Sequence, residues 1–344
     1  MKASVFYDVG DFRYEDLQVP KINDDEVLIK MRACGLCGTD VHKAVAKTVT
    51  PPIVLGHEVS GDIVEVGKNV TDFKVGDRIF VAHHVPCFTC HYCLHGHHTL
   101  CQQFKTTNID PGGFSEYIRI PALNVKHSMH KIPDDMTYEE AAMAEPVACC
   151  IHGQKYVKIM PEDTVLIMGA GQIGIIHGQL AKAQGAGKVF ISDISDFRLQ
   201  KALEFGMDFA INVAKEDLAE KIKELTGGLG VDLVIISAGV SSLLTQAVEV
   251  VRRGGSIIVF SPFDKNPMIN INSRRFFEDE ISIIGTYSST PFEYIEALKM
   301  IHDKKVKARE MITHVFDLKD LGKAINLASN PKEKYLKVMI REDS

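Results

Sequence analysis

Four cysteines, Cys87, Cys90, Cys93 and Cys101, stand in the pattern C-x2-C-x2-C-x7-C. Thiolates this close in sequence can wrap one ion without long-range folding, and a tetrahedral Zn²⁺ takes its four soft ligands from such a loop. The competing readings are two disulfides or four unrelated core thiols. The opening stretch MKASVFYDVGDFRYED has no apolar core of signal-peptide length, so a cytoplasmic chain is expected. In that compartment a thiol cluster is a metal site rather than a bridged one. With thiolate at all four positions the site is closed, which makes the expected zinc structural. Its binding contributes on the order of 10 kcal/mol to folding of the loop. The chemistry then has to lie elsewhere in the chain.

A length of 344 residues suggests two domains, and 45% apolar residues supply enough material for two cores. The net charge is −6, from 39 basic and 45 acidic residues, and no long basic stretch stands out. Nucleic acid and anionic membrane surfaces are therefore not the expected partners. No uninterrupted apolar run approaches the length of a membrane span.

Up to Glu145 the chain reads as short strands broken by Gly and Pro: EVLIKMRACG, Gly61 to Val66, Lys74 to Val81, and Phe114 to Ile120. Apolar residues here rarely repeat at helical spacing, which predicts an all-β domain carrying the cysteine loop as an insertion. The pattern changes after Pro161. Thr164–Met168 (TVLIM) is a continuous apolar run, as in a buried parallel strand, and a helical stretch Gln172–Gln184 follows it. Further strand-like runs lie at Lys188–Ser192, Val231–Ser237, Ser256–Ser261 and Ile281–Tyr287, with helical patterns between, for example Ser241–Arg252. Alternation of this kind predicts an α/β fold with a doubly wound parallel sheet. A helix near Phe292–His302 and a final strand, KYLKVMI, form a tail that can return to the first domain. The expected organisation is 1–150 with the zinc loop at 83–104, then 151–288, then 289–344.

Gly169-Ala170-Gly171-Gln172-Ile173-Gly174 matches G-x-G-x-x-G. The motif alone is weak, but it directly follows an apolar strand and opens a helix. Its glycines allow a tight turn and close approach to a pyrophosphate, and the helix start supplies free N–H groups and a positive dipole. Asp193 falls at the end of the second strand, 19 residues after Gly174. A carboxylate there bonds both ribose hydroxyls of NAD and repels the 2′-phosphate of NADP, unless it serves only as a helix cap or turn residue. Arg198 lies either near the adenine or on the solvated surface.

Three further segments carry groups suited to catalysis: Cys34-Gly35-Leu36-Cys37-Gly38-Thr39-Asp40-Val41-His42, Gly56-His57-Glu58, and Ala144-Glu145-Pro146. Soft Cys, borderline His and hard carboxylate together suit a Zn²⁺ that keeps one position open. Spacing alone leaves His57 as a core or surface histidine and Cys34/Cys37 as a redox pair. The redox reading is disfavoured because the C-x-x-C lies in β-rich context rather than at a helix start.

At this point the sequence resembles a known family, the zinc-dependent medium-chain dehydrogenases, in particular their polyol (sorbitol-like) branch. The motifs that carry the resemblance are GLCGTDVH, GHEVSGDIVEVG, KVGDRI, the four-cysteine loop, GGFSEY, AEPVACCIHG and GAGQIG, which span essentially the whole chain in this order. The resemblance implies a GroES-like β domain plus a Rossmann domain, with NAD and two Zn²⁺ per chain. It also implies that Cys37 and His57 are catalytic zinc ligands, with Glu58 or Glu145 completing the site directly or through water. Cys149 and Cys150 are then buried structural thiols. Thr39 takes the proton of the substrate hydroxyl and His42 relays it to solvent, while hydride passes to the nicotinamide. The implied substrate is a secondary alcohol of a polyol or sugar derivative. The implied assembly is a homotetramer, or else a dimer, built with the strand near Ile281–Tyr287.

Two positions depart from the sorbitol-type pattern. Lys43 follows the relay histidine where an aromatic residue is usual, and Thr286-Tyr287-Ser288-Ser289 stands where an Arg-Tyr pair is usual. Lys43 is a candidate contact for a phosphate or carboxylate on the substrate, against the reading of a solvated surface lysine. L-Threonine 3-dehydrogenase is the neighbouring alternative within the superfamily. A non-catalytic NAD-binding sensor is the alternative of another class, and intact Cys37, His57, Thr39 and His42 argue against it.

Overall fold

The computed structural model describes residues 1–263, 268–330 and 332–342. The chain divides into two compact units: Met1–Ala148 together with Thr290–Ser344, and Cys149–Ser289.

The first unit is built on a sheet whose strands run in the order Ile312–Asp317, Lys337–Arg341, Val27–Gly35, Glu58–Val66, Arg78–Val81, Met129–Lys131, with Tyr117–Ile120 also paired to Val27–Gly35. Apart from the first pair, which is parallel, these neighbours are antiparallel. Val27–Gly35 is apolar along nearly its whole length because it is buried almost throughout. Its register brings Gly35 opposite both Glu58 and Met339, so three strands converge at one point. A second sheet, ordered Asp11–Asp16, Lys2–Asp8, Ile53–Val54, closes over a core that includes Phe6, Ile29, Met31, Ile63, Phe114 and Ile340.

The all-β expectation for this unit is incomplete. Short helices lie at Gly38–Ala46 and Tyr138–Ala142, and the AEP segment opens a further helix, Ala144–Gln154. The stretch starting at Lys74 is first a turn, in which Lys74 N–H bonds the Asp77 carboxylate at 3.0 Å, and the strand begins at Arg78. The strand expected from Phe114 begins at Tyr117.

The second unit is a six-stranded, wholly parallel sheet in the order Phe209–Asn212, Lys188–Asp193, Thr164–Met168, Val231–Ile236, Val251–Val259, Ser282–Gly285. Within the unit this is strand order 3-2-1-4-5-6, the doubly wound arrangement. Phe209–Asn212 has no run long enough to be legible in sequence. The helix expected over Ser241–Arg252 stops at Val250, and the next strand starts at once with Val251. That strand pairs with Val231–Ile236 through a register shift, which accounts for its early start. The final strand is shorter than Ile281–Tyr287, spanning Ser282–Gly285 at the sheet edge. Among the described residues no helix is long and apolar enough to cross a membrane.

Candidate active site and metal centres

The four-cysteine loop brings its sulfurs together. Sγ–Sγ distances are 4.0 Å for Cys87–Cys93, 3.6 Å for Cys90–Cys93 and 3.5 Å for Cys87–Cys101. A tetrahedral zinc with Zn–S bonds of about 2.3 Å has S–S edges of about 3.8 Å, so the donor set fits that ion. Donors from Thr89 and the Cys90 amide hold the Cys87 thiol down to about 6, while burial and the Cys90 thiol push Cys93 up to about 12. The buried Phe104 ring packs beneath Cys93 and Cys101.

A second donor cluster joins Cys37, His57 and Glu58, whose ligating atoms lie within 4.8 Å of one another. Each arrives by a different route. Cys37 is the N-cap of the helix Gly38–Ala46, its sulfur accepting the Thr39 N–H at 3.5 Å. This corrects the expectation that the C-x-x-C lies away from a helix start. Its partner Cys34 is fully buried, and burial pushes that thiol well above its usual range, so it is not poised for redox exchange. His57 and Glu58 lie where the chain enters the strand Glu58–Val66.

Asp40 connects these pieces. It is fully buried; its carboxylate accepts the Cys37 N–H at 3.2 Å and the Gly56 N–H at 3.2 Å, and stands 3.3 Å from His57 Nδ1. Asp40 thus completes a capping box with Cys37 and also orients His57. With Nδ1 turned to Asp40, Nε2 is the nitrogen left for a metal. Gly56 permits this approach: its φ is +90°, and a Cβ there would stand 3.0 Å from the Phe114 ring. Burial opposes a charge on His57. The Asp40 carboxylate and the Cys37 sulfur outweigh burial and hold its pKa well above the usual imidazole value. A pocket that draws a proton so strongly is electrostatically suited to a cation, so the donor set fits zinc with a position left open.

Glu58 and Lys337 form a wholly buried ion pair, and Lys337 Nζ also donates to the Leu36 carbonyl at 3.1 Å. Gly35 makes room for it, since a Cβ there would meet Glu58 Oε2 at 1.8 Å. Burial opposes the charge on Lys337, but Glu58, Cys37 and Glu145 together raise its pKa. Glu145 is buried and acts on Lys337 through its charge, while standing outside the Cys37–His57–Glu58 cluster.

Thr39 and His42 are exposed on the helix that Cys37 caps, and Lys43 is half-buried. His83 was not singled out in sequence. Its ring lies 4.6 Å from that of His57 and 3.7 Å from that of His84, and its Nδ1 is buried with no hydrogen-bond partner among the described residues.

In the second unit, Gly171 is the N-cap of Gln172–Ala183 with no side chain capping the helix, so its N-terminal amides are unmasked by any side-chain cap. Gln172 and Ile173 form the first turn. Gly169 has φ +109°, and a Cβ on Gly174 would stand 1.9 Å from the Gly169 carbonyl oxygen. The turn therefore requires glycine and leaves a cradle that fits a pyrophosphate. Asp193 closes the strand Lys188–Asp193, its carboxylate accepting the Ala170 N–H at 2.8 Å and the Ser195 N–H at 2.9 Å. Arg198 lies in the first turn of Asp196–Glu204, half-buried. Cys150 is buried, whereas Cys149 is only half-buried, with its Sγ 3.5 Å from Ser289 Oγ, so the buried-thiol expectation holds for one of the two. Tyr287 is 54% exposed and Ser289 is fully buried.

Family comparisons agree with this architecture. Residues 23–134 match the alcohol dehydrogenase GroES-like domain, and residues 173–303 match the zinc-binding dehydrogenase domain. Sorbitol dehydrogenase of Bacillus subtilis (strain 168) is 36% identical, covering 99% of this chain and 97% of that protein. D-Arabitol-phosphate dehydrogenase of Enterococcus avium is also 36% identical, covering 95% of this chain and 93% of that protein. A zinc-binding dehydrogenase from Sinorhizobium meliloti 1021, solved bound to NADP, superposes with a TM-score of 0.91 at 29% identity, covering 99% of this chain and 98% of the other. The chain belongs to the zinc-dependent medium-chain dehydrogenases, in the polyol dehydrogenase branch. It is an alcohol oxidoreductase that works with zinc and a nicotinamide cofactor.

Proposed function

We propose that the chain oxidises a secondary alcohol of a polyol or sugar derivative to a ketone, with NAD as acceptor and two zinc ions per chain. The observation that carries this reading is the Cys37–His57–Glu58 cluster with Asp40 behind His57. In this reading Cys37 and His57 hold the catalytic zinc, Glu58 or Glu145 completes its shell, and Cys87, Cys90, Cys93 and Cys101 hold the structural zinc.

Zinc held there would supply the Lewis acidity that makes an alcohol proton removable near neutral pH, and a bound nicotinamide would supply the hydride acceptor. The protein's own groups do the rest. Thr39 accepts the alcohol proton, and His42, open to water three residues on, passes it to solvent. Asp40 fixes the tautomer and orientation of His57. Gly169, Gly171 and Gly174 with the amides of Gln172 and Ile173 hold the pyrophosphate. Asp193 takes the adenosine ribose hydroxyls and selects NAD over NADP, with Arg198 beside the adenine. The edge strand Ser282–Gly285 supports an assembly in which that sheet continues into a second copy, within a dimer or a homotetramer.

The test is NADH formation across a panel of polyols, their phosphates, sugar acids and L-threonine, with zinc counted on the same preparation. Turnover of polyols with two zincs per chain is the expected result. Preference for L-threonine, or a folded chain with one zinc and no turnover, overturns it. Asp193→Ala is expected to raise the NADP/NAD ratio of kcat/KM.

A further inference from the structure

Resting on the reading of Cys37 and His57 as catalytic zinc ligands, we propose that Lys337 is a positioning residue: it holds the Glu58 carboxylate in reserve beside the metal, so that one coordination position stays open to the alcohol.

Besides Cys37 and His57 the site has two candidate carboxylates, Glu58 and Glu145. A catalytic zinc takes three protein ligands and keeps the fourth position for substrate; with both carboxylates engaged it would be as closed as the cysteine loop. One of them has to stay off the metal, and Glu58 is the one with an ammonium against it. Its carboxylate accepts from Lys337 Nζ, and no other donor among the described residues reaches it. The ammonium is itself pinned, since it also donates to the Leu36 carbonyl at 3.1 Å. The Leu36 N–H in turn bonds the Val338 carbonyl at 3.0 Å. Leu36 precedes Cys37, so Lys337 is fixed between the chain leading to one ligand and the side chain of another. Gly35 admits both partners: a Cβ there would stand 2.9 Å from Lys337 Cε as well as striking Glu58.

An ammonium and a divalent cation compete for the same carboxylate. Neither interaction is screened by water here, because both side chains are wholly enclosed, so the pair with Lys337 weakens what Glu58 can give to a metal. Lys337 has no solvent to retreat to, and separation would leave its charge buried and unpaired. Glu58 nonetheless keeps a ligating atom within 4.8 Å of those of Cys37 and His57, near enough to take the metal once the ammonium is gone. Without Lys337 the charge on Glu58 is neutralised by the zinc instead. That binding holds the metal more tightly and fills the position the alcohol needs. Lys337 thus trades metal affinity for an open site.

The experiment follows the visible absorption of cobalt exchanged into the full chain, with the tetrathiolate loop as internal standard, alongside chelator competition and turnover of the polyol the enzyme uses best. In Lys337→Met the cobalt band of the Cys37–His57 site is expected to shift. Metal there binds about tenfold to a hundredfold more tightly, and kcat/KM falls by a similar factor. Adding Glu58→Gln to that variant restores the native spectrum, Glu58→Gln alone leaves it unchanged, and Lys337→Arg, which keeps the charge, stays close to native. A purely structural anchor would move none of these spectra. Where Lys337→Met fails to fold, Lys337→Gln takes its place, since it keeps a donor for the Leu36 carbonyl without the charge. An unshifted band or weaker metal binding in the uncharged variant, or a changed spectrum in Glu58→Gln alone, overturns the inference while leaving the zinc site intact. Metal bound only at the cysteine loop, in native and variant chains alike, overturns the underlying reading instead.

Discussion

Lys337 donates its ammonium to the Glu58 carboxylate, and neither side chain has more than 1% of its surface exposed. The pair joins positions 279 residues apart in the chain. It anchors the C-terminal strand directly behind a candidate zinc ligand.

Removing one partner leaves the other charged and buried. Lys337→Met and Glu58→Gln are each expected to cost about 3–5 kcal/mol, and the double variant less than their sum. Denaturant unfolding of zinc-loaded protein measures this. Additive losses in the double variant would show that the two groups do not act as a pair.

Asp40→Asn keeps the shape of the capping box but weakens the acceptor facing His57. Zinc at the Cys37–His57 site is expected to bind about tenfold to a hundredfold less tightly, while zinc in the cysteine loop is unaffected. Chelator competition, followed by the release of one equivalent before the other, reads the difference. Equal retention in both proteins would remove Asp40 from its positioning role.

Cys93→Ser removes one thiolate of the closed site. The expected outcome is one zinc per chain in place of two, with protease cleavage appearing within 83–104 and the rest of the chain intact. Metal analysis and limited proteolysis check it. Unchanged metal content would count against the tetrathiolate assignment.

Asp232 gives the second unit its own acid sensitivity. Its carboxylate accepts the Thr164 N–H at 2.7 Å and the Thr164 hydroxyl at 2.8 Å, and pairs with Arg252. Burial opposes ionisation, but these donors outweigh it and lower the pKa. A carboxyl with a folded pKa below its unfolded value of about 3.9 contributes stability above that value, and loses it as pH falls through the folded pKa. Asp232→Asn is expected to cost about 1 kcal/mol at neutral pH and to flatten the loss of stability below pH 4. Denaturant midpoints from pH 7 to pH 3 test both parts.

What was legible in the sequence was what the chain writes contiguously. The cysteine loop, the GAGQIG turn and TVLIM each combine their signal within a short window. Phe209–Asn212 was missed because four residues with one polar end carry no period. The helix at Gly38 was missed because Cys37 is an uncommon cap and Cys-Gly-Thr-Asp reads as a turn. In hindsight, Asp40 three residues after Cys37 carried the capping signal. Lys337 gave none: it sits in an apolar strand pattern, and its meaning appears only when that strand lies beside Val27–Gly35.

That pairing also sets an order of events on the ribosome. The strand Val27–Gly35 is made early, yet one of its neighbours, Lys337–Arg341, is made only after the whole of the second unit. The intervening Cys149–Ser289 emerges whole and uninterrupted in between. The second unit can therefore finish folding during translation, while the first keeps an unpaired strand edge until Lys337–Arg341 emerges. A pause in synthesis before Lys337–Arg341 would expose that edge, rather than the parallel sheet, to capture by chaperones or by other nascent chains.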